Sequence, residues 1–142
     1  KYFVINIDKL TYASNTYDDK IRNRINYKFF KVDINNKSKI IKIIKKYKPK
    51  AIFNLAAETH VDRSIDDPKT FIHSNINGTF SLLESIRYFK NKNYNIKLIH
   101  ISTDEVYGDI KKNLRSNENS KYEPKLLSYI HDVVREQLQI RE

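Results

Sequence analysis

The run Leu98-Ile-His-Ile-Ser-Thr-Asp-Glu-Val-Tyr-Gly-Asp109 decides the fold. Its first half has strand character: Leu98, Ile99 and Ile101 are apolar, and Asn93 and Asn95 stand before it as breakers. Its second half is too polar to be core. Thr103, Asp104 and Glu105 set a hydroxyl and two carboxylates directly after a strand end, where open α/β sheets hold ligands and reacting groups. Adjacent carboxylates repel, so one can keep its proton near neutral pH and act as an acid while the other acts as a base. A solvated, charged turn is the plainer alternative for the same residues.

Strands and helices alternate upstream of this run. Tyr2 to Ile7 reads as a buried strand closed by Asp8, and Phe29 to Val32 as a second strand followed by Asp33-Ile34. Asn35 or Asn36 caps a helix with Ile40, Ile41, Ile44 and Tyr47 at helical spacing, and Pro49 stops it. Ala51 to Leu55 is the next strand, after which Ala56 and Ala57 leave room for backbone to approach a ligand. Asp67-Pro68 opens a long helix whose buried stripe is Phe71, Ile72, Ile76, Leu82, Leu83, Ile86 and Phe89. Asn15 to Asn26 reads as a loop with a short helical turn, and the stretch from Gly108 to Lys121 as a surface loop. Pro124 begins a final helix with Leu127, Ile130, Val134 and Leu138 on one face. This alternation predicts a doubly wound, parallel α/β sheet.

Composition bounds the function. At 142 residues there is room for one domain and one sizeable core. The absence of cysteine excludes disulfides and thiolate metal sites, and no apolar run reaches the length of a membrane span. No signal peptide opens the chain, so a cytoplasmic protein is expected, without membrane contact. The chain begins at Lys1 with an apolar run almost at once, which predicts a piece of a longer protein. A net charge of +10 would favour a polyanion, but Lys, Asn and Ile recur everywhere, the signature of A/T-rich codons. Nucleic acid is not the expected partner; a diphosphate-bearing small molecule is. Lys39, Lys42, Lys45, Lys46 and Lys48 likewise read as the solvated face of a packed helix. Glu58, His60 and Asp62 crowd one irregular stretch with no second cluster to complete a tetrahedral set, so no metal is expected.

Three words carry a family resemblance: Ser102-Thr-Asp-Glu-Val-Tyr-Gly-Asp109, Asn54-Leu-Ala-Ala-Glu-Thr-His-Val-Asp-Arg-Ser64 and Asn75-Ile-Asn-Gly-Thr79. Together they resemble the nucleotide-sugar branch of the extended short-chain dehydrogenases, and within it the sugar-nucleotide 4,6-dehydratases, over residues 2 to 124. The resemblance implies a Rossmann-like domain that uses NAD, a cytoplasmic homodimer, and conversion of dTDP-glucose to dTDP-4-keto-6-deoxyglucose. By resemblance Asp8, in the stretch Asp8-Lys-Leu-Thr-Tyr-Ala-Ser-Asn15, meets the adenosine ribose, Lys9, Leu10 and Thr11 bind the cofactor beside it, and Asp33 and Ile34 lie beside the adenine. Leu55, Ala56, Ala57, Glu58 and Thr59 line the cofactor, as do Ser74 and its neighbour Asn75 on the long helix. Thr59 and Thr103 bind substrate; Glu105 removes the sugar C5 proton, Asp104 protonates the departing C6 hydroxyl, and Thr103 holds the C4 oxygen. Epimerases and decarboxylases of the branch usually carry small or hydroxyl residues at the two carboxylate positions, which makes them the weaker reading.

Two family features do not occur in residues 1–142. Gly78 and Gly108 are the sole glycines, so the glycine-rich pyrophosphate turn, its strand and its helix are not here, nor is a C-terminal substrate domain. The Tyr-x-x-x-Lys spacing occurs at Tyr27 and Lys31, Tyr88 and Lys92, and Tyr107 and Lys111, each in the wrong place. At the expected place Tyr129 is followed four residues on by Val133, and Tyr122 with Lys125 is a weak substitute. Residues 125–142 read as a divergent helix. The alternative to a dehydratase segment is a truncated or decayed non-catalytic relative.

Overall fold

Apolar strands and capped helices alternate as the spacing requires. In the computed structural model, residues 2–12, 14, 21, 23–59, 67–108 and 115–123 are described, with backbone alone at Asp104 and Glu105. The order is β1 (Val4–Asp8), β2 (Tyr27–Lys31), α1 (Lys37–Tyr47), β3 (Ala51–Asn54), α2 (Pro68–Phe71), a π-helical segment (Ile72–Asn77), α3 (Gly78–Lys90), β4 (Lys97–His100) and a 3-10 turn (Asp104–Tyr107). Most of the expected loop at 15–26, and all of the final helix from Pro124, with Leu127, Tyr129, Ile130, Val133, Val134 and Leu138, lie outside the described residues.

Two compact units divide the chain, residues 1–99 and 100–142. In the first, β1 and β2 run parallel with Val4 opposite Tyr27 and Asp8 opposite Lys31, and β3 pairs with β4. In the doubly wound order 3-2-1-4-5, the pairs 3-2 and 4-5 flank the first strand. Pairs β2–β1 and β3–β4 are linked in sequence like those flanking pairs, with α1 as the crossover from one to the other. Both pairs rest on one helical layer: Ile40 and Ile44 of α1 and Leu82 and Phe89 of α3 form the core with Ile96, and Ile7, Val32, Ile52 and Leu98 pack against it.

Local signals explain the helix ends. Asn36 caps α1, its side chain accepting from the Lys39 N–H, and Lys48 closes it in the left-handed conformation ahead of Pro49. Asp67 caps α2, with Pro68 in its first turn. The long helix then departs from expectation, because its middle is π-helical from Ile72 to Asn77. Its buried residues past Gly78 are Ser81, Leu82, Ser85 and Phe89, with Ser85 Oγ donating to the Ser81 carbonyl at 2.8 Å. Leu83, expected in the stripe, is 43% exposed. At about 100° per residue the buried residues Gly78, Ser81, Leu82, Ser85 and Phe89 share one arc of the helix, and Leu83 falls beyond its edge. Lys39, Lys42, Lys45 and Lys46 of α1 are exposed, a solvated face.

Among the described residues, no helix is long and apolar enough to cross a membrane.

Candidate functional site

The parallel strands β1 and β2 end in two acidic turns. After β1, the Asp8 carboxylate accepts from the Leu10 N–H at 2.6 Å, and Leu10 takes a left-handed φ of 57°. A leucine in that region is strained by about 1 kcal/mol or more, so the surrounding bonds hold it there. After β2, Asp33 accepts from the Asn35 backbone N–H at 2.8 Å and from the Asn35 side chain at 3.0 Å. Burial pushes the Asp33 pKa up, but the two Asn35 bonds, Lys9 and His73 outweigh it and hold the carboxyl below its ordinary range. His73 Nε2 stands 3.9 Å from Asp33 Oδ2.

The chain beyond β3 turns on a buried carboxylate. Glu58 is 8% exposed, and Lys9 Nζ lies 3.2 Å from its Oε1. Tyr12 Oη donates to the other carboxylate oxygen at 3.4 Å. Lys9 also donates to Ser74 Oγ at 2.6 Å, which explains why a serine 65 residues away is buried on a helix. Leu55, Ala56, Ala57 and Thr59 surround Glu58 in the chain and are all exposed. Asn54, 3% exposed, starts the turn by accepting from the Ala56 N–H.

The π segment supplies the third side. Asn75 Oδ1 accepts from the Glu58 N–H at 2.8 Å and Asn75 Nδ2 donates to the Glu58 carbonyl at 3.0 Å, so one amide satisfies both backbone groups of Glu58. Asn35 Nδ2 donates to the His73 carbonyl at 2.9 Å, and Ser81 Oγ donates to the Asn35 carbonyl at 3.3 Å. Gly78 makes this approach possible: a Cβ there would stand 2.6 Å from Ile34 Cδ1. Asp8, Lys9, Leu10, Asp33, Ile34, Glu58 and Ser74 thus belong to one unit, joined through strand ends and the π segment, and Thr11 lies in the same loop as Leu10. Tyr12 was not among the expected site residues; Asn75 was expected beside Ser74 at a cofactor-facing position, and its side-chain amide serves the Glu58 backbone.

Thr103, Asp104 and Glu105 belong to the second unit. Thr103 is exposed, and Asp104 and Glu105 begin the 3-10 turn. Gly108 then turns with φ 67°, where a Cβ would collide with the Glu123 carbonyl, and the Glu123 N–H donates to Val106 O at 3.0 Å. Tyr107 and Tyr122 rings meet at 5.6 Å.

Two of the tyrosine–lysine spacings have structural roles here. Tyr27 accepts from Asn6 on the neighbouring strand, and Lys92 Nζ sits 4.7 Å over the Tyr88 ring at the end of α3. Lys111, His60 and Asp62 lie outside the described residues, among which no three His, Cys, Asp or Glu side chains gather as a metal set.

A family model described as GDP-mannose 4,6 dehydratase matches residues 1–127. The dTDP-glucose 4,6-dehydratase of Salmonella typhimurium is 47% identical over 113 residues, 75% of this chain and 31% of its own length. That of Haemophilus influenzae is 45% identical over 129 residues, 86% of this chain and 38% of its own. The chain therefore spans about a third of the length of these curated relatives. Among solved structures, Bacillus anthracis dTDP-glucose 4,6-dehydratase in complex with NAD superposes with a TM-score of 0.74 at 32% identity, covering 98% of this chain and 44% of that one. The Streptomyces venezuelae dTDP-glucose 4,6-dehydratase DesIV, with NAD and TYD bound, gives 0.73 at 33%, covering 84% and 35%. Strand pairs resting on one helical layer, acidic turns at their ends and a match over residues 1–127 converge: the chain belongs to the nucleotide-sugar 4,6-dehydratase family of Rossmann-like NAD-binding proteins.

Proposed function

We propose that this chain is the cofactor-binding segment of an NAD-dependent dTDP-glucose 4,6-dehydratase. The observation that carries the reading is the set of strand ends in the first unit. Asp8 and Asp33 close two parallel neighbouring strands, and exposed Leu55, Ala56, Ala57 and Thr59 follow β3. These residues fit the adenosine half of NAD: the Asp8 carboxylate for ribose hydroxyls, Asp33 and Ile34 for the adenine, and small residues for close approach. When bound, NAD supplies the reversible oxidation of the sugar that makes its C5 proton acidic.

This chain's own residues handle protons and orientation. Glu105 takes the C5 proton, Asp104 delivers a proton to the departing C6 hydroxyl, and Thr103 holds the C4 oxygen, with Thr59 as a further substrate contact. Elimination of water needs an acid and a base together, and adjacent carboxylates provide both. Support for these roles comes from the Ser-Thr-Asp-Glu word and from dehydratase relatives at 45–47% identity. The working protein is a cytoplasmic homodimer on the same family grounds.

Thermal unfolding with and without NAD tests the cofactor reading, because a ligand bound by the folded state alone raises the midpoint. A midpoint that does not move at saturating NAD refutes it. In the full-length protein carrying this segment, Asp104→Asn and Glu105→Gln each lower kcat by about 100-fold or more, the usual weight of a general acid or base. Formation of the 4-keto product reports it, and near-parental turnover in either variant removes that residue from the mechanism.

A further inference from the structure

We propose that Lys9 and Glu58 are positioning residues: their ion pair clasps the loop after β1 to the loop after β3, and neither charged group contacts the cofactor. The inference rests on the NAD-binding reading and departs from the family expectation that both residues meet NAD directly. The two charges are spent on each other and on neighbouring hydroxyls. The Glu58 side chain is 7% exposed and that of Lys9 30%, with 3.2 Å between ammonium and carboxylate. Both oxygens of Glu58 are engaged, one by Lys9 and one by Tyr12 of the same loop. The ammonium is engaged a second time by Ser74 Oγ at 2.6 Å. A carboxylate this buried needs its partner, because an uncompensated charge in the interior is strongly unfavourable.

The clasp spans three segments that are far apart in sequence. Lys9 stands next to Leu10, whose left-handed backbone shapes the loop after β1. Glu58 stands between Ala57 and Thr59, and its backbone is bridged by Asn75 in the π segment. Pairing the two side chains therefore fixes the backbone of the loops that face outward through their exposed neighbours. Preformed loops bind a ligand without first losing conformational freedom.

Charge exchange separates positioning from contact. Four 142-residue chains are compared: parent, Glu58→Gln, Lys9→Glu, and the exchanged Lys9→Glu/Glu58→Lys. NAD affinity is measured by calorimetry, and hydrogen exchange is followed at residues 55–59 and 72–77. Positioning predicts that each single variant loses about tenfold or more in affinity and exchanges faster at both segments, and that the exchanged pair recovers most of both. Direct contact predicts no recovery of affinity in the exchanged pair, since the cofactor would meet the wrong charge; that result overturns the proposal. If the exchanged pair does not fold, Glu58→Gln decides: unchanged exchange at 55–59 overturns the clasp, and faster exchange confined to 55–59 and 72–77 supports it. If the parent itself does not bind NAD, the functional reading fails, while the exchange measurements still decide whether the clasp orders these loops.

Discussion

Replacing Asn75 by leucine removes an amide that serves the Glu58 backbone twice, at 2.8 Å from its N–H and 3.0 Å from its carbonyl. Leucine is close in size and favours a helix, so the change isolates the hydrogen bonds from volume. Each buried polar group left without a partner costs about 1–3 kcal/mol. Glu58 is 8% exposed, so water replaces these bonds poorly and the two groups together lose about 2–6 kcal/mol. Leucine returns about 0.5 kcal/mol through helix propensity. The net loss is about 1.5–5.5 kcal/mol, a large share of the roughly 5–15 kcal/mol that holds a typical domain together. Urea unfolding measures it as a lower midpoint at constant slope. Asn75→Asp keeps the acceptor and loses the donor, so it falls between parent and leucine variant. A leucine variant within about 0.5 kcal/mol of the parent would show that the Glu58 backbone finds other partners, and the bridge would not be what anchors this loop.

Further outcomes follow from single contacts. Gly78→Ala gains about 1 kcal/mol of helix propensity but drives a methyl to 2.6 Å from Ile34 Cδ1 and 2.8 Å from Cγ1; overpacking of about 1–3 kcal/mol wins, and a stabilised variant would refute the close approach. Tyr94 donates to the Pro49 carbonyl at 2.6 Å beside Phe89, so Tyr94→Phe costs about 1 kcal/mol in denaturant unfolding. Burial raises the Tyr94 pKa, so the parent is additionally destabilised as pH rises above about 10, and the phenylalanine variant escapes that part of the alkaline loss. Asp33 has the opposite sign: its lowered pKa stabilises the fold above about pH 4, the ordinary aspartate value, and this is lost as pH falls through the folded pKa. Asp33→Asn therefore flattens the acid side of a stability–pH profile, and an unchanged acid limb would refute the assignment.

What was legible in the sequence was what depends on near neighbours. Asn36 and Asp67 cap helices because each cap bond reaches three residues along the chain. Strand limits moved by one or two residues, as with β2 beginning at Tyr27 rather than Phe29, where pairing to Val4 extends it. The π segment left no local trace. It coincides with contacts to Asn35 and Glu58, 38 and 17 residues away, which no periodicity encodes. Ser74 was singled out by its place just before the family word at residues 75–79, yet its side chain is tied to Lys9. Asn75 opens that word, and its amide was visible without its partner. Leu83 was misplaced because hydrophobicity alone does not reveal that Ser81 and Ser85 take buried positions on this helix.

The π segment has a consequence for how this helix tolerates change. A π turn holds about one more residue than an α turn, and each residue advances the helical phase by about 100°. Phe71 before it is buried, Ser74 and Asn75 within it bond the loops, and Leu82 and Phe89 after it serve the core. The segment acts as a phase joint between these two duties. Losing one residue there would restore an uninterrupted α-helix and turn Ser74 and Asn75 away from Lys9 and Glu58 while Leu82 and Phe89 kept their seats. Recognition and folding are thereby indexed separately along one helix, and length variation at this joint can retune the first without disturbing the second.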